Sequence, residues 1–338
     1  MRSTMTAKVL LCLCKSRRQG RSVLTSVTTS TALVMAFFFL AVMSPTMHAG
    51  KRHWTYQDIQ ARSQQIDAFI QERLSKEQIE PALLVDESTL LRRLYLDLIG
   101  RIPSIEEAQS YIDSSDPQKR DQLINRLLES EGHVSHEYNH WADLLRIKSR
   151  MRNLPGQPYI EWVRNAFRRN MPYDEFVGQL INSKGYLWDD GATGFYFRDA
   201  GMELDHMANT FQVFLGTQVG CAQCHDHPYD SWTQKQYYEQ AAYTYGVKTT
   251  DSKMNRKFRG LGNNKIRNDI DPALKAAARR MVRPLKYRVF ESKTALKLPD
   301  DYQYEDSKPK SKVTPHPMFG HLVDGKSDAS LRQAYAEW

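Results

Sequence analysis

Apolar residues recur at helical spacing from residue 86 to residue 246, and this pattern limits what the chain can fold into more than any other. Leu91, Leu94 and Leu98 lie on one face of a predicted helix that ends at Gly100. Ser104 and Glu107 have the spacing of a capping box for the next helix. Apolar residues recur at the same spacing in later segments, including residues 204–215 and 233–245. The periodicity predicts a mainly α, multi-helix domain over residues 55–246.

The first 49 residues have the pattern of an export signal. They contain six cations and no acid, then an apolar run over residues 31–43, and small residues follow at Ala49 and Gly50. A charged start, a short apolar run and a small-residue cleavage site describe a secretory signal peptide. We therefore predict a signal peptide or membrane anchor over 1–49 and an exported protein, in the periplasm or at the cell surface. If the segment is retained, residues 31–43 associate with a membrane.

Removal of this segment changes the composition of the mature chain. The net charge falls from +8 to +2, which removes most support for nucleic-acid binding, and we predict no nucleic-acid partner. Cys12 and Cys14 leave as well, so the two remaining cysteines are Cys221 and Cys224. A chain with one cysteine pair must derive its stability from core burial rather than from a disulfide framework.

The two remaining cysteines belong to the segment Cys221-Ala-Gln-Cys224-His225. C-x-x-C-H is the attachment signature of haem c, in which two thiols add to the two porphyrin vinyl groups. The adjacent imidazole then binds the iron as the proximal ligand. The sequence therefore predicts haem c at Cys221, Cys224 and His225.

Two other interpretations of the segment stay open. His227 follows closely, so Cys221, Cys224, His225 and His227 offer the ligand types of a structural zinc site, although typical sites use two well-separated pairs. Alternatively, the cysteines form a disulfide or a redox dithiol. Asp226 and Asp230 either orient an imidazole as acceptors behind the metal ligands or cap the following turn.

A haem site also needs walls and usually a sixth ligand. The rings of Phe211, Phe214, Tyr237 and Tyr238 are candidate walls. The candidate distal ligands are His206, Met202, Met207, His140 and Met254, and a methionine ligand would favour electron transfer. A separate metal site is a weaker hypothesis at His133, His136 and His140, which share a helical face. No motif identifies a catalytic nucleophile, so the sequence defines no reaction.

Four motifs in order resemble a known family. They are Arg92-Arg-Leu-Tyr-Leu-Asp-Leu-Ile-Gly100, His140-Trp141, Met171-Pro-Tyr-Asp-Glu-Phe-Val177, and Phe214-Leu-Gly216 followed by Cys221 to Trp232. Together they resemble the planctomycete-type cytochrome domain, a domain of unknown function in exported bacterial proteins. The resemblance covers about residues 55–245. It implies export, and the family name suggests a bound haem, but no reaction is established for the family. We expect a cytochrome-like module that transfers electrons to a redox partner or within a larger exported assembly. A non-haem scaffold with a structural metal or disulfide is the alternative.

The net charge of the chain changes from negative to positive at Val247. Residues 247–312 contain 18 cations and 8 acids, whereas residues 50–246 have a net charge of −7. We predict a basic extension over 247–326 with little regular structure, largely a solvated linker. Residues 327–338 resemble the start of the second domain that usually follows in this family, here truncated. Without that domain, Leu331, Tyr335 and Trp338 should be unusually exposed.

Overall fold

The computed structural model describes residues 55–151, 154–254, 256, 271–318 and 330–338, and the chain divides into two units, residues 1–83 and 84–338. The described part of the first unit contains helix α1 (Tyr56–Lys76), which begins with a capping box between Thr55 and Asp58. No helix in the described ranges is long and apolar enough to cross a bilayer. The predicted signal or anchor over 1–49 lies outside the described residues.

The second unit is mainly helical, as the sequence predicts. Its helices include α2 (Glu87–Ile99), α3 (Ile105–Ile112), α4 (Lys119–Leu128), α5 (Glu131–Leu144), α6 (Gln157–Arg168), α7 (Tyr173–Asn182), α8 (Gly194–Arg198), α9 (Glu203–Leu215), α10 (Gln234–Thr244), α11 (Pro272–Val282) and α12 (Leu331–Glu337). Short 3₁₀ turns occur at Gly191–Thr193, Gly220–Gln223 and Arg283–Lys286. Two antiparallel pairs join β1 (Arg150–Met151) to β2 (Leu154–Pro155) and β3 (Val247–Thr250) to β4 (Tyr287–Glu291).

Local signals set several helix boundaries. Gly100 ends α2 in the left-handed conformation with φ of 71°, where a side chain would be strained and would also collide with the ring of His136. The predicted capping box forms between Ser104 and Glu107 at the start of α3. An equivalent box between Thr233 and Gln236 begins α10. These boundaries confirm the helical interpretation of the sequence.

The described residues of the second unit form three hydrophobic clusters. The first joins α2, α3 and α4 through residues such as Leu91, Tyr95 and Leu123. The second, around Tyr159 and Phe195, includes residues of α6, α7, α8, β3 and β4. The third joins α9 and α10 to parts of the extension and to α12, and we call it the site cluster because the CxxCH segment lies on it. Its buried members are Ile181, Met207, Phe211, Val219, Ala222, Tyr237, Tyr238, Ala241, Ala242, Tyr243, Leu296, Leu298, Tyr302, Val313 and Tyr335.

The basic extension contributes to the core, which corrects its interpretation as a solvated linker. In its described part, β4 pairs with β3 in the register Val247↔Glu291, with an irregularity before Thr250↔Tyr287. Beyond β4 the chain has little regular structure, yet Leu296, Leu298 and Val313 are buried in the site cluster. Many cations surround these few apolar residues in the sequence, so hydropathy averaged over the segment hides them.

The C-terminal helix α12 is docked rather than exposed. Tyr335 is 5% exposed and stacks on Tyr243, so the prediction that it would be exposed is wrong. Trp338 is half-buried beside Phe211, whereas Leu331 is 52% exposed, as expected. The buried guanidinium of Arg332 donates to the carbonyl of Ser183 at 2.6 Å and pairs with Glu291 at 2.8 Å.

Truncation of Tyr335 to alanine should destabilise the second unit substantially. Removal of a buried aromatic ring leaves a cavity, with an expected loss of about 3–5 kcal/mol in the free energy of unfolding. Leu331→Ala, on the same helix but half exposed, should cost less than about 1 kcal/mol. Urea unfolding of the two variants measures both losses. Equal losses would contradict the docking of α12 through Tyr335.

Candidate functional site

The CxxCH segment lies between α9 and α10 in the chain and packs on the site cluster. The 3₁₀ turn Gly220–Gln223 buries Ala222 completely, and Val219 before it is also buried. Side chains three residues apart lie on the same side of a 3₁₀ turn. Cys221 and Cys224 are therefore both at the surface, and each is a free thiol.

Two side chains of α10 form hydrogen bonds with this turn. The buried Gln234 side chain donates from Nε2 to the carbonyl of Gln223 at 3.1 Å. The hydroxyl of Tyr237 lies 2.8 Å from the carbonyl oxygen of Leu204 and 3.2 Å from Oε1 of Gln223. These contacts connect the turn to both flanking helices, so its position depends on the packing of α9 against α10.

The loop after the turn is held by α10 and by the extension. The Asp226 carboxylate accepts a hydrogen bond from the backbone N–H of Gln234 at 2.8 Å, in the first turn of α10. The Asp226 backbone N–H donates to the hydroxyl of Tyr304 at 2.7 Å. Asp230 accepts from the backbone N–H of Ser231. The Asp226 carboxylate therefore caps the first turn of α10, whereas the contact of Asp230 is with the adjacent residue.

The two histidines of the segment present different ring nitrogens. Nδ1 of the exposed His225 lies 2.7 Å from the carbonyl oxygen of Asp226, which can only accept, so Nδ1 is the donor. In the neutral ring, Nε2 of His225 then keeps a free lone pair. Nδ1 of His227 instead accepts from the backbone N–H of Tyr229 at 3.3 Å, which places the proton of the neutral ring on Nε2. In the neutral tautomers that these contacts favour, Nε2 of His225 is an acceptor, whereas Nε2 of His227 carries the proton.

No group of three or more His, Cys, Asp or Glu side chains converges as a metal-ion site among the described residues. This finding covers the Cys221, Cys224, His225 and His227 set and the three histidines of α5. In α5, Nδ1 of His133 is 2.8 Å from the carbonyl oxygen of Leu98, and His136 packs on Gly100. His140 is exposed beside Trp141.

The aromatic residues predicted to wall a porphyrin are packed against protein. Phe211 and Tyr237 are fully buried, and Tyr238 is nearly so. Among the candidate distal ligands, Met207 is buried, Met254 is half-buried and Met202 is 49% exposed. A cavity of about 350 Å³ lies between α10, the extension and α12, and none of the CxxCH residues lines it. The indole N–H of Trp232 is buried close in sequence to the CxxCH segment, with no acceptor among the described residues.

His206, another candidate distal ligand, belongs to a buried charge cluster. Its Nδ1 donates to the Asp199 carboxylate at 3.2 Å, and its ring stacks on Tyr196. Asp199 also pairs with Arg146 at 2.6 Å and Arg198 at 2.7 Å. Sequence reasoning missed this cluster, because adjacent charges such as Arg198 and Asp199 are usually at the surface.

The pKa values of His206 and Asp199 are both lowered. Burial is the largest influence on His206 and lowers the pKa of its imidazole, although the hydrogen bond to Asp199 opposes that shift. Burial alone would raise the pKa of Asp199, but its bonds to His206 and Arg198 lower that pKa well below the usual range. The folded state therefore favours a neutral ring beside an ionised carboxylate.

Acid should destabilise the second unit through His206. Because the folded-state pKa of His206 is lowered, its contribution to stability is present above the unfolded value of about 6.5 and is lost as the pH falls below it. Asp199 adds nothing in this range, since its unfolded pKa of about 3.9 lies lower. Urea unfolding at pH 7 and pH 5 should show a larger loss for the wild type than for His206→Gln, by at most about 1.4 kcal/mol per pH unit. Equal losses would contradict a buried neutral His206.

Removal of the Tyr304 hydroxyl should loosen the CxxCH loop. Tyr304→Phe deletes the acceptor of the Asp226 amide, and one hydrogen bond contributes about 1 kcal/mol net. Hydrogen exchange of the Asp226 amide should therefore be about fivefold faster. The control is Tyr302→Phe, which removes a hydroxyl bound to Asp306 instead. Similar acceleration in both variants would show that Tyr304 does not hold the loop specifically.

Comparison with known proteins identifies the family of the chain. Residues 65–249 match the model of the family PSCyt2, described as a protein of unknown function (DUF1549). No curated protein and no solved structure matches the chain significantly. The matched range extends from α1 to β3 and contains the whole CxxCH segment. Since the match covers more than half of the chain, this protein belongs to the PSCyt2 (DUF1549) family.

Proposed function

We propose that the second unit binds haem c covalently through Cys221 and Cys224, with His225 as the proximal ligand. The observation that carries the proposal is the orientation of His225, whose Nδ1 donates to its own chain and leaves Nε2 free. A ring nitrogen fixed by a carbonyl acceptor is how proteins commonly orient a metal-binding imidazole. His227, with the opposite hydrogen-bond pattern, would not serve as a ligand through Nε2 without losing a proton.

The cysteines meet the chemical requirement of attachment. Both are free and exposed on one side of the same turn. Each S–H would add across one vinyl double bond of the haem, so that the S–H bond is replaced by a C–S and a C–H bond and no oxidant is needed. Bound haem would supply an iron centre that exchanges single electrons.

We propose an exported electron-transfer module as the role of this domain. Export is supported by the six cations and the apolar run before residue 50, and a haem at exposed residues would be accessible to a redox partner or within a larger exported assembly. The alternative is a non-haem scaffold domain. Of its two forms, exposed thiols three residues apart favour a disulfide or redox dithiol over structural zinc.

The test compares single-histidine variants expressed from the full gene in a periplasm with haem-maturation enzymes. We expect the wild type to retain haem in a denaturing gel stained for peroxidase activity, and its intact mass to increase by one haem. His225→Ala should lose the low-spin absorption spectrum, because the proximal ligand is missing. His227→Ala, the matched control two residues away, should keep both the haem and the spectrum.

Three outcomes would contradict the haem proposal or its ligand assignment. A colourless wild type whose mass is lower by two hydrogens would establish the disulfide instead. A haem-loaded wild type whose spectrum depends on His227 rather than His225 would show that the ring orientations were misassigned. Retention of bound zinc in the native protein would favour the structural metal site.

A further inference from the structure

α11 and the turn that follows it form a segregated cationic segment, Pro272–Lys286, which we call the basic helix. It contains five cations and no acid. The cations are Lys275, Arg279, Arg280, Arg283 and Lys286. With successive residues 100° apart, the positions of Lys275, Arg279 and Arg280 fall within one side of α11, and Arg283 and Lys286 follow in the 3₁₀ turn.

The opposite side of the basic helix is apolar. Leu274 and Met281 are seven residues apart, two helical turns, and so lie above one another, with Ala277 and Ala278 between them. Leu285 lies in the 3₁₀ turn that follows. The segment therefore has two faces of different chemistry, although it is only 15 residues long.

The apolar face of the basic helix is turned to solvent. Leu274 is 61% exposed and Met281 is 79% exposed. Leu285 is 37% exposed, and Arg280 and Arg283 are exposed as well. A helix that only solubilised the extension would not need a separate apolar side, and exposed apolar side chains gain free energy when a partner removes them from water.

We infer that the basic helix docks on an anionic lipid surface. A helix with cations on one face and apolar residues on the other lies in the plane of a bilayer interface, with its apolar side in the acyl boundary and its cations at the headgroups. A bilayer contacts both faces at once. An acidic protein that paired with the cations would leave Leu274 and Met281 in water. The basic helix contains none of the CxxCH residues and is separate in sequence from residues 31–43.

The test uses the full chain and locates the contact by hydrogen exchange with mass spectrometry. The probes are vesicles of phosphatidylcholine alone and vesicles that contain phosphatidylglycerol as well. We expect the peptides that cover residues 272–286 to exchange more slowly with the anionic vesicles only. Raising the salt concentration should weaken this protection, because exposed charges are screened. Since the readout is local, binding through the N-terminal segment does not imitate it.

Two double variants distinguish binding through the basic helix from a general effect of net charge. Arg280→Glu with Arg283→Glu should raise the vesicle concentration needed for half-protection of residues 272–286 at least about tenfold. Arg92→Glu with Arg93→Glu makes the same charge change on exposed residues of α2 and should leave that concentration unchanged. Met281→Ser should weaken protection without any change in charge.

Three results would overturn the inference. The first is unchanged exchange of residues 272–286 with anionic vesicles, whether or not the protein binds them elsewhere. The second is equal protection by neutral and anionic lipid. The third is equal weakening by the α2 control, which would show that only net charge matters. Protection by an acidic polypeptide such as polyglutamate but not by vesicles would assign the helix to a protein partner.

Discussion

The packing of α9 against α10 is the constraint on which the rest of the site depends. Tyr237 and Phe211 are fully buried between these helices, and Ala222 is buried on the same cluster. Because Ala222 lies between the two cysteines, its burial turns Cys221 and Cys224 outward. A larger residue at position 222 would have to displace close-packed neighbours, since protein interiors have few voids. The exposure of the thiols therefore follows from the core beneath them.

Much of the helical framework could be predicted from the sequence, because its signals are local. The end of α2 at Gly100 and the capping box of Ser104 with Glu107 each depend on a few neighbouring residues. The role of the extension could not be predicted in this way. Tyr304 reaches the Asp226 amide across 78 residues of chain, and nothing near either residue indicates the contact. The docking of Tyr335 on Tyr243 is likewise a contact between residues far apart in the sequence.

The C-x-x-C-H motif names the residues of the candidate site and distinguishes His225 from His227 for haem, but it does not give their hydrogen bonds. In the structure, the backbone groups that meet the Nδ1 atoms of the two histidines make the rings different. Asp226 has the residue type of an acceptor behind a metal ligand, yet its carboxylate is used at the start of α10. The Asp199 cluster escaped sequence reasoning for a related reason. A buried carboxylate is tolerated only when several donors compensate its lost hydration, and here those donors come from α8, α9 and the loop after α5.

The burial pattern around the CxxCH segment also bears on how a cofactor would be retained. A ligand held without covalent bonds usually buries most of its surface in a preformed apolar pocket. Phe211, Tyr237 and Tyr238 are committed to the protein core, and the CxxCH residues do not line the 350 Å³ cavity. A planar cofactor at this site would therefore depend on bonds rather than on enclosure. Two thiols and the imidazole of His225 would supply three such attachments. For this reason we propose covalently bound haem rather than haem held by a pocket alone. The same exposure would leave the iron close to water, so that its potential would depend on the surface that a partner covers.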